Sequence, residues 1–224
     1  MNKIVAIDGP AGSGKGTIAK RLADECNLLY IDTGAMYRAI AYKMLKNNIS
    51  IEEEEKIVDL AKESKIEFID GKTYLDGIDI SREIRTMEVT KIVSPVSSIV
   101  KLREILVNLQ RKMAEGSSVI MEGRDITTVV FPNANYKIYL DAAVEERAKR
   151  RYKQNIERGL NTPYEEVYSE LIKRHKLQTE REVSPLIQEE DAIYLDSSNL
   201  NIEEVTEETI RIIKEQLNKK GKNI

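Results

Sequence analysis

The sequence contains one cysteine, one histidine and no tryptophan, and no stretch reaches the ~18 apolar residues that a membrane-spanning helix needs. A lone cysteine, Cys26, excludes an internal disulfide. Together with the lone histidine, His175, it cannot build a zinc or iron site, so any metal must take oxygen ligands, which points to Mg2+. An excess of one charge is also missing. Against 38 Asp and Glu stand 35 Lys and Arg, and the formal net charge of −3 gives no general attraction to nucleic acid or to acidic membranes. Nucleotide contacts, if any, must be local. Met1 leads directly into the apolar Ile4-Val5-Ala6-Ile7 with no basic flank and no cleavage site, so a cytoplasmic protein is expected. With 41% hydrophobic residues over 224 positions, the chain can bury a core without partner or staple, and a monomer is expected.

Five short apolar runs read as buried strands, at 3–8, 28–31, 118–121, 136–140 and 192–195. Between them the segments 17–26, 35–47, 88–115, 144–158, 164–181 and 203–219 carry apolar residues at helical spacing. The row Ile18, Leu22, Cys26 predicts a core position for the cysteine. Strands alternating with helices imply crossover connections, hence an α/β fold with a five-stranded parallel sheet covered by helices on both faces. Two stretches break the pattern. At 64–80, short β-like runs joined by Asp70-Gly71 and Asp76-Gly77 predict a small antiparallel meander. Residues 147–181 hold ten Lys and Arg against five Glu inside a chain that is acidic overall. The terminal Lys219-Lys220-Gly221-Lys222-Asn223-Ile224 reads as a frayed tail.

Directly after the first strand, and opening the first helix, lies Gly9-Pro10-Ala11-Gly12-Ser13-Gly14-Lys15-Gly16-Thr17. Glycines let backbone N–H groups approach phosphate oxygens, and a helix N-terminus adds unpaired N–H groups and partial positive charge. Lys15 would bring a full positive charge to the β- and γ-phosphates of ATP, and the Thr17 hydroxyl could ligate Mg2+. The order Gly-Lys-Gly-Thr, with the hydroxyl one residue after the usual place, resembles the loop of nucleoside-monophosphate kinases.

Two further segments follow strand ends, where open α/β sheets bind ligands: Asp32-Thr33-Gly34-Ala35-Met36-Tyr37-Arg38, and Glu122-Gly123-Arg124-Asp125 with Thr127-Thr128-Val129-Val130-Phe131-Pro132. With Arg103 and Arg181-Glu182-Val183-Ser184-Pro185-Leu186, they resemble the bacterial cytidylate kinases over essentially the whole chain. That resemblance implies a core of residues 1–37, 116–146 and 182–224. It also implies a monophosphate-binding subdomain at 38–115 carrying the 64–80 insert, and a lid with a basic arginine segment at 147–181. Ser94, Arg103 and Asp125 would surround a cytosine, Arg38, Arg124 and Arg181 would hold the acceptor phosphate, and Thr33 would lie beside the site. Arg174 belongs to the same set. Between Arg174 and Arg181 the family usually has aspartates that orient the arginines and touch the sugar, whereas this chain has His175 and Gln178, which leaves the balance of CMP against dCMP open.

The implied reaction moves the γ-phosphoryl of ATP to CMP or dCMP. Lys15, Arg124 and Arg181 would offset charge, and no general base is needed, because the acceptor's second pKa near 6 leaves its oxygen nucleophilic. Within 147–158, Arg147, Arg150, Arg151 and Arg158 are candidates for mobile lid arginines. Substrates would be small nucleotides, with no polymeric nucleic acid and no membrane. Two alternatives stay open at this point: the same core acting on another small acceptor such as AMP, UMP or shikimate, and a P-loop nucleotide switch with no acceptor at all.

Overall fold

The computed structural model describes residues 2–220, with side chains to residue 213. Strands β1 (Ile4–Asp8), β2 (Leu29–Asp32), β6 (Val119–Gly123), β7 (Tyr136–Asp141) and β8 (Ile193–Asp196) form the five-stranded parallel sheet in the order β2-β6-β1-β7-β8. A second, antiparallel sheet has the order β3-β4-β5, from Ile66–Ile69, Lys72–Leu75 and Ile78–Asp79. The helices are α1 (Lys15–Cys26), α2 (Thr33–Lys46), α3 (Glu54–Lys62), α4 (Met87–Val96), α5 (Val100–Met113), α6 (Val144–Glu157), α7 (Tyr164–Glu180) and α8 (Ile202–Lys220). A 3-10 turn at Glu83–Arg85 precedes α4, and a π-helical turn at Ile126–Val130 follows β6.

The chain divides into two compact units. The first takes it up to Leu29 and again from Ser117, and the second is Tyr30–Gly116. In the first, β1 is central and pairs in parallel with β6 (Ile4 opposite Val119, Asp8 opposite Gly123) and with β7 (Val5 opposite Tyr136). The inner strands are buried on both faces, which is why β1 and β6 read as nearly continuous apolar runs. Lys137 interrupts the run of β7, and its Nζ reaches Asp191 at 2.8 Å. Helix α1 packs on β6 and α8, with Ile18, Ala19 and Leu22 buried.

In the second unit α2 packs against α3, α4, α5 and the 3-10 turn, so the whole helix belongs here, including its first turn before Arg38. Tight turns at Asp70-Gly71 and Asp76-Gly77 fold the three short strands back on one another, Ile66 facing Leu75 and Leu75 facing Ile78.

Three expectations need correction. Cys26 is exposed, not packed in the core: each four-residue step advances an α-helix about 400°, so the row from Ile18 has turned about 80° by Cys26. The expected single helix at 88–115 is two: α4, with Pro95 in its last turn, stops at Val96, and beyond it the hydroxyls of Ser97 and Ser98 donate to the Ser94 carbonyl at 2.8 and 3.2 Å. Helix α3 was not expected, because its buried face is only Ile57, Val58 and Ala61 behind a run of glutamates. Those glutamates favour a helix start, where they meet the positive end of the dipole. Of the expected tail, Lys219 and Lys220 close α8, and residues 221–224, like Met1, lie outside the described residues.

Gly9, where β1 leaves the sheet, has φ +146°, and a Cβ there would lie 2.0 Å from the Leu140 carbonyl oxygen. Backbone in this region costs a side-chain-bearing residue about 1–3 kcal/mol before any clash. Gly9→Ala is therefore expected to lose at least that much stability, read from the midpoint and slope of urea denaturation.

Candidate active site

In the first unit the loop 9–14 runs from β1 to α1, whose N-cap, Gly14, is left-handed with φ 98°. The first amides of a helix have no partner within it. Lys15 is buried, and its Nζ donates to Pro10 O at 2.7 Å and to Ser13 Oγ at 3.4 Å. Burial, reinforced by the Arg124 guanidinium, holds the Lys15 ammonium well below the usual lysine pKa. An arriving polyanion would reverse that penalty. Thr17, two residues on, is exposed.

Helix α6 supports the loop from behind. Arg147 is buried, with Nε on Ala142 O at 2.9 Å and a terminal nitrogen on Ala11 O at 3.3 Å. Arg150 reaches Ser13 O at 3.3 Å and Ser197 Oγ at 3.0 Å, and that hydroxyl also donates to Ser13 O at 3.1 Å. Arg147 and Arg150 are thus tied to loop carbonyls here, rather than projecting as free arginines.

Arg124 follows β6. Its Nε donates to Gln178 Oε1 at 3.0 Å, and a terminal nitrogen donates to Gly123 O at 3.0 Å. Gln178 is buried on α7, between Arg174 and Arg181 at spacings that put all three on one helix face. Arg174 is close enough to add to the positive potential at Lys15, and Arg181, at the C-cap of α7, donates through Nε to Ser184 O. Asp125 is buried at the start of the π-helical turn. His175 is half-buried, and burial with the charges of Arg147 and Arg124 lowers its pKa.

The second unit carries the remaining candidates. Asp32 ends β2 and caps α2: Oδ1 accepts from Ala35 N at 2.8 Å, while Oδ2 accepts from Arg38 at 2.9 Å and from Arg85 at 3.2 Å. Thr33 is buried beside it. Arg103 is also buried, its guanidinium 5.4 Å from the centre of the Tyr37 ring and bonded to Ser97 O at 2.9 Å. Ser97 in turn bonds to Ser94 O, so Ser94 and Arg103 belong to one cluster.

The residues expected from the sequence therefore fall into two groups, with Lys15, Thr17, Arg124, Asp125, Arg174 and Arg181 in one unit and Thr33, Arg38, Ser94 and Arg103 in the other. Sequence reasoning gave no role to Asp8, Asp32, Tyr37 or Arg85. Asp32 carried the clearest signal, an acidic residue between a strand and a helix, which is the N-cap pattern. Among the described residues no cluster of three or more His, Cys, Asp or Glu could hold a metal ion, and no helix is long and apolar enough to cross a membrane.

The cytidylate kinase family model matches residues 5–215. The chain is 50% identical over 210 residues to a cytidylate kinase of Alkaliphilus oremlandii, covering 94% of this chain and 97% of that protein. It is also 50% identical over 217 residues to a cytidylate kinase of Caldanaerobacter subterraneus subsp. tengcongensis, covering 97% and 96%. Among solved structures, an uncharacterised protein from Eubacterium ventriosum superposes with a TM-score of 0.55 at 13% identity, covering 95% of this chain and 99% of that one, a likeness of fold. The chain belongs to the cytidylate kinase family.

Replacing Asp32 separates its two roles. Asp32→Asn keeps an acceptor for Ala35 N, whereas Asp32→Ala removes both the cap and the arginine partner. The alanine variant is expected to be less stable than the asparagine variant by about 0.5–2 kcal/mol in chemical denaturation.

Proposed function

We propose, starting from membership in the cytidylate kinase family, that the chain transfers the γ-phosphoryl of ATP to CMP or dCMP, giving ADP and CDP or dCDP. The observation that carries the reading is the pairing of a phosphate loop closed on the buried Lys15 with a buried carboxylate, Asp125, beyond the next strand. Loop residues Gly9, Pro10, Ala11, Gly12, Ser13, Gly14, Lys15, Gly16 and Thr17 hold the ATP phosphates, chiefly through backbone amides and the Lys15 ammonium. An oxygen of the acceptor phosphate attacks the γ-phosphorus, the bond to the β-phosphate oxygen breaks, and ADP leaves. Lys15, Arg124 and Arg181 offset charge on the transferring group, and Arg38 and Arg174 help to hold the acceptor. Arg38 supports this role: its Nε is buried without a partner among the described residues, a donor that a phosphate oxygen would satisfy.

Thr17, exposed just after Lys15, would offer its hydroxyl to Mg2+, which would supply further charge neutralisation. Asp125, Arg103 and Ser94 read the base, with Thr33 nearby. A carboxylate accepts from the cytosine N4 amine, and uracil would set a carbonyl oxygen against it. Residues 38–115 serve the acceptor monophosphate, and 147–181 act as the lid. The net charge of −3 and the small substrates of the family support a cytoplasmic monomer that binds neither membrane nor polymeric nucleic acid.

Gln178 gives the sugar preference a second aspect. Its carbonyl oxygen accepts from Arg124, and its amide nitrogen can donate to a ligand, where the family's usual carboxylate could only accept.

ADP release from Mg-ATP, followed with CMP, dCMP, UMP, AMP or no acceptor, tests the reading. Turnover is expected with the cytidine nucleotides, and Asp125→Ala should erase about 1–3 kcal/mol of preference for CMP over UMP, roughly 5- to 150-fold. The CMP to dCMP ratio in Gln178→Glu reports the sugar contact. Equal ADP release with no acceptor would mean an ATPase or a switch instead.

A further inference from the structure

Asp8 is the last residue of β1, fully buried, and the chemistry above assigns it nothing. Its carboxylate accepts three hydrogen bonds, all from one short segment. Oδ1 takes the Ile126 N–H at 3.0 Å, and Oδ2 takes both the Thr127 N–H and the Thr127 hydroxyl at 2.7 Å. That segment is the π-helical turn, in which Val130 N donates to Asp125 O at 3.1 Å and Phe131 N to Ile126 O at 2.7 Å. Such turns are rare and recur at functional sites. Asp125 stands immediately before it.

Holding a carboxylate in this place is unfavourable in isolation. Burial raises its pKa above the ordinary aspartate value, the Thr127 and Ile126 bonds draw it back, and the neighbouring charge of Asp125 pushes it up again. An apolar residue would fill the volume without that cost. The carboxylate does what an apolar residue cannot: it fixes two successive amides and one hydroxyl, and through them the backbone that presents Asp125. Its own Cα is bonded through the chain to Gly9, the first residue of the phosphate loop.

We propose that Asp8, acting through Ile126 and Thr127, is a positioning residue that sets the orientation of Asp125 relative to the phosphate loop and so tunes recognition of the acceptor base. The inference rests on the reading of Asp125 as the group that meets the base.

The test compares Thr127→Val, Thr127→Ser, Asp8→Asn and Asp125→Ala with the parent protein. It measures KM and kcat for CMP and UMP, the affinity for a non-hydrolysable ATP analogue by calorimetry, and thermal unfolding to confirm that each variant is folded. Thr127→Val removes one bond to Asp8 without touching the phosphate loop, and it remains informative if Asp8→Asn does not fold. The valine variant is expected to raise the KM for CMP about 2- to 10-fold and to lower the CMP to UMP preference, with analogue affinity within about twofold of the parent. Thr127→Ser, which keeps the hydroxyl, should restore both. An unchanged CMP KM and preference in folded Thr127→Val, or a serine variant that behaves like valine, overturns the role of Asp8 while Asp125→Ala still loses selectivity. Retained selectivity in Asp125→Ala overturns the reading of Asp125 and the inference with it.

Discussion

The first unit is organised by one close approach, that of Gly9 to the Leu140 carbonyl where β1 and β7 end side by side. The carbonyls of the loop that follows are taken by side chains. Pro10 O takes Lys15 Nζ and Ser13 Oγ, Ala11 O takes Arg147, and Ser13 O takes Arg150 and Ser197. Every peptide here is trans, so a carbonyl fixed on one side directs the next amide to the other. The arginines at the start of α6 thus fix two acceptor atoms of the loop, Ala11 O and Ser13 O.

The cations of the two units are balanced differently. In the second, Arg38 and Arg85 share one carboxylate oxygen of Asp32, a largely buried acid. In the first, the atoms that receive Lys15 Nζ are neutral, a carbonyl and a hydroxyl. Burial is the leading cause that holds the Lys15 pKa down, with Arg124 and Arg174 adding to it and Glu122 and Asp8 opposing it. A neutral hydrogen-bond partner is exchanged for a phosphate oxygen at less cost than a buried counter-ion, because breaking an ion pair strands a charge and losing an amide contact does not.

What the sequence makes legible follows the same physics. The central strands β1 and β6 were readable because two-sided burial demands apolar residues, and the observed limits of all five sheet strands lie within two residues of the expected ones. The phosphate loop was readable because its requirements are local. Helix α3 was obscured because three buried residues make too narrow a stripe, and the break between α4 and α5 because serine hydroxyls competing for a carbonyl leave little trace in periodicity. Arg103 lies among Lys101, Glu104 and Arg111 in sequence and so resembles a surface charge, yet it is buried on the ring of Tyr37, 66 positions away. Asp8 was invisible for a related reason: the groups it binds lie 118 to 119 residues away along the chain.

Asp8 and Asp32 reveal a device common to both units. Each closes a strand, each is buried, and each divides its two oxygens between a backbone amide at the start of a helical turn and further donors. At Asp32 those further donors are guanidinium groups, which a ligand anion can attract. At Asp8 they are the amide and hydroxyl of Thr127, which have no charge to offer a ligand. The same side chain in the same place thus pairs with guanidinium groups in one unit and braces a backbone turn in the other, and the difference lies in what the fold brings to its second oxygen. A strand-end aspartate in an α/β sheet is therefore best read by its donors, because neither its position nor its burial distinguishes the two roles.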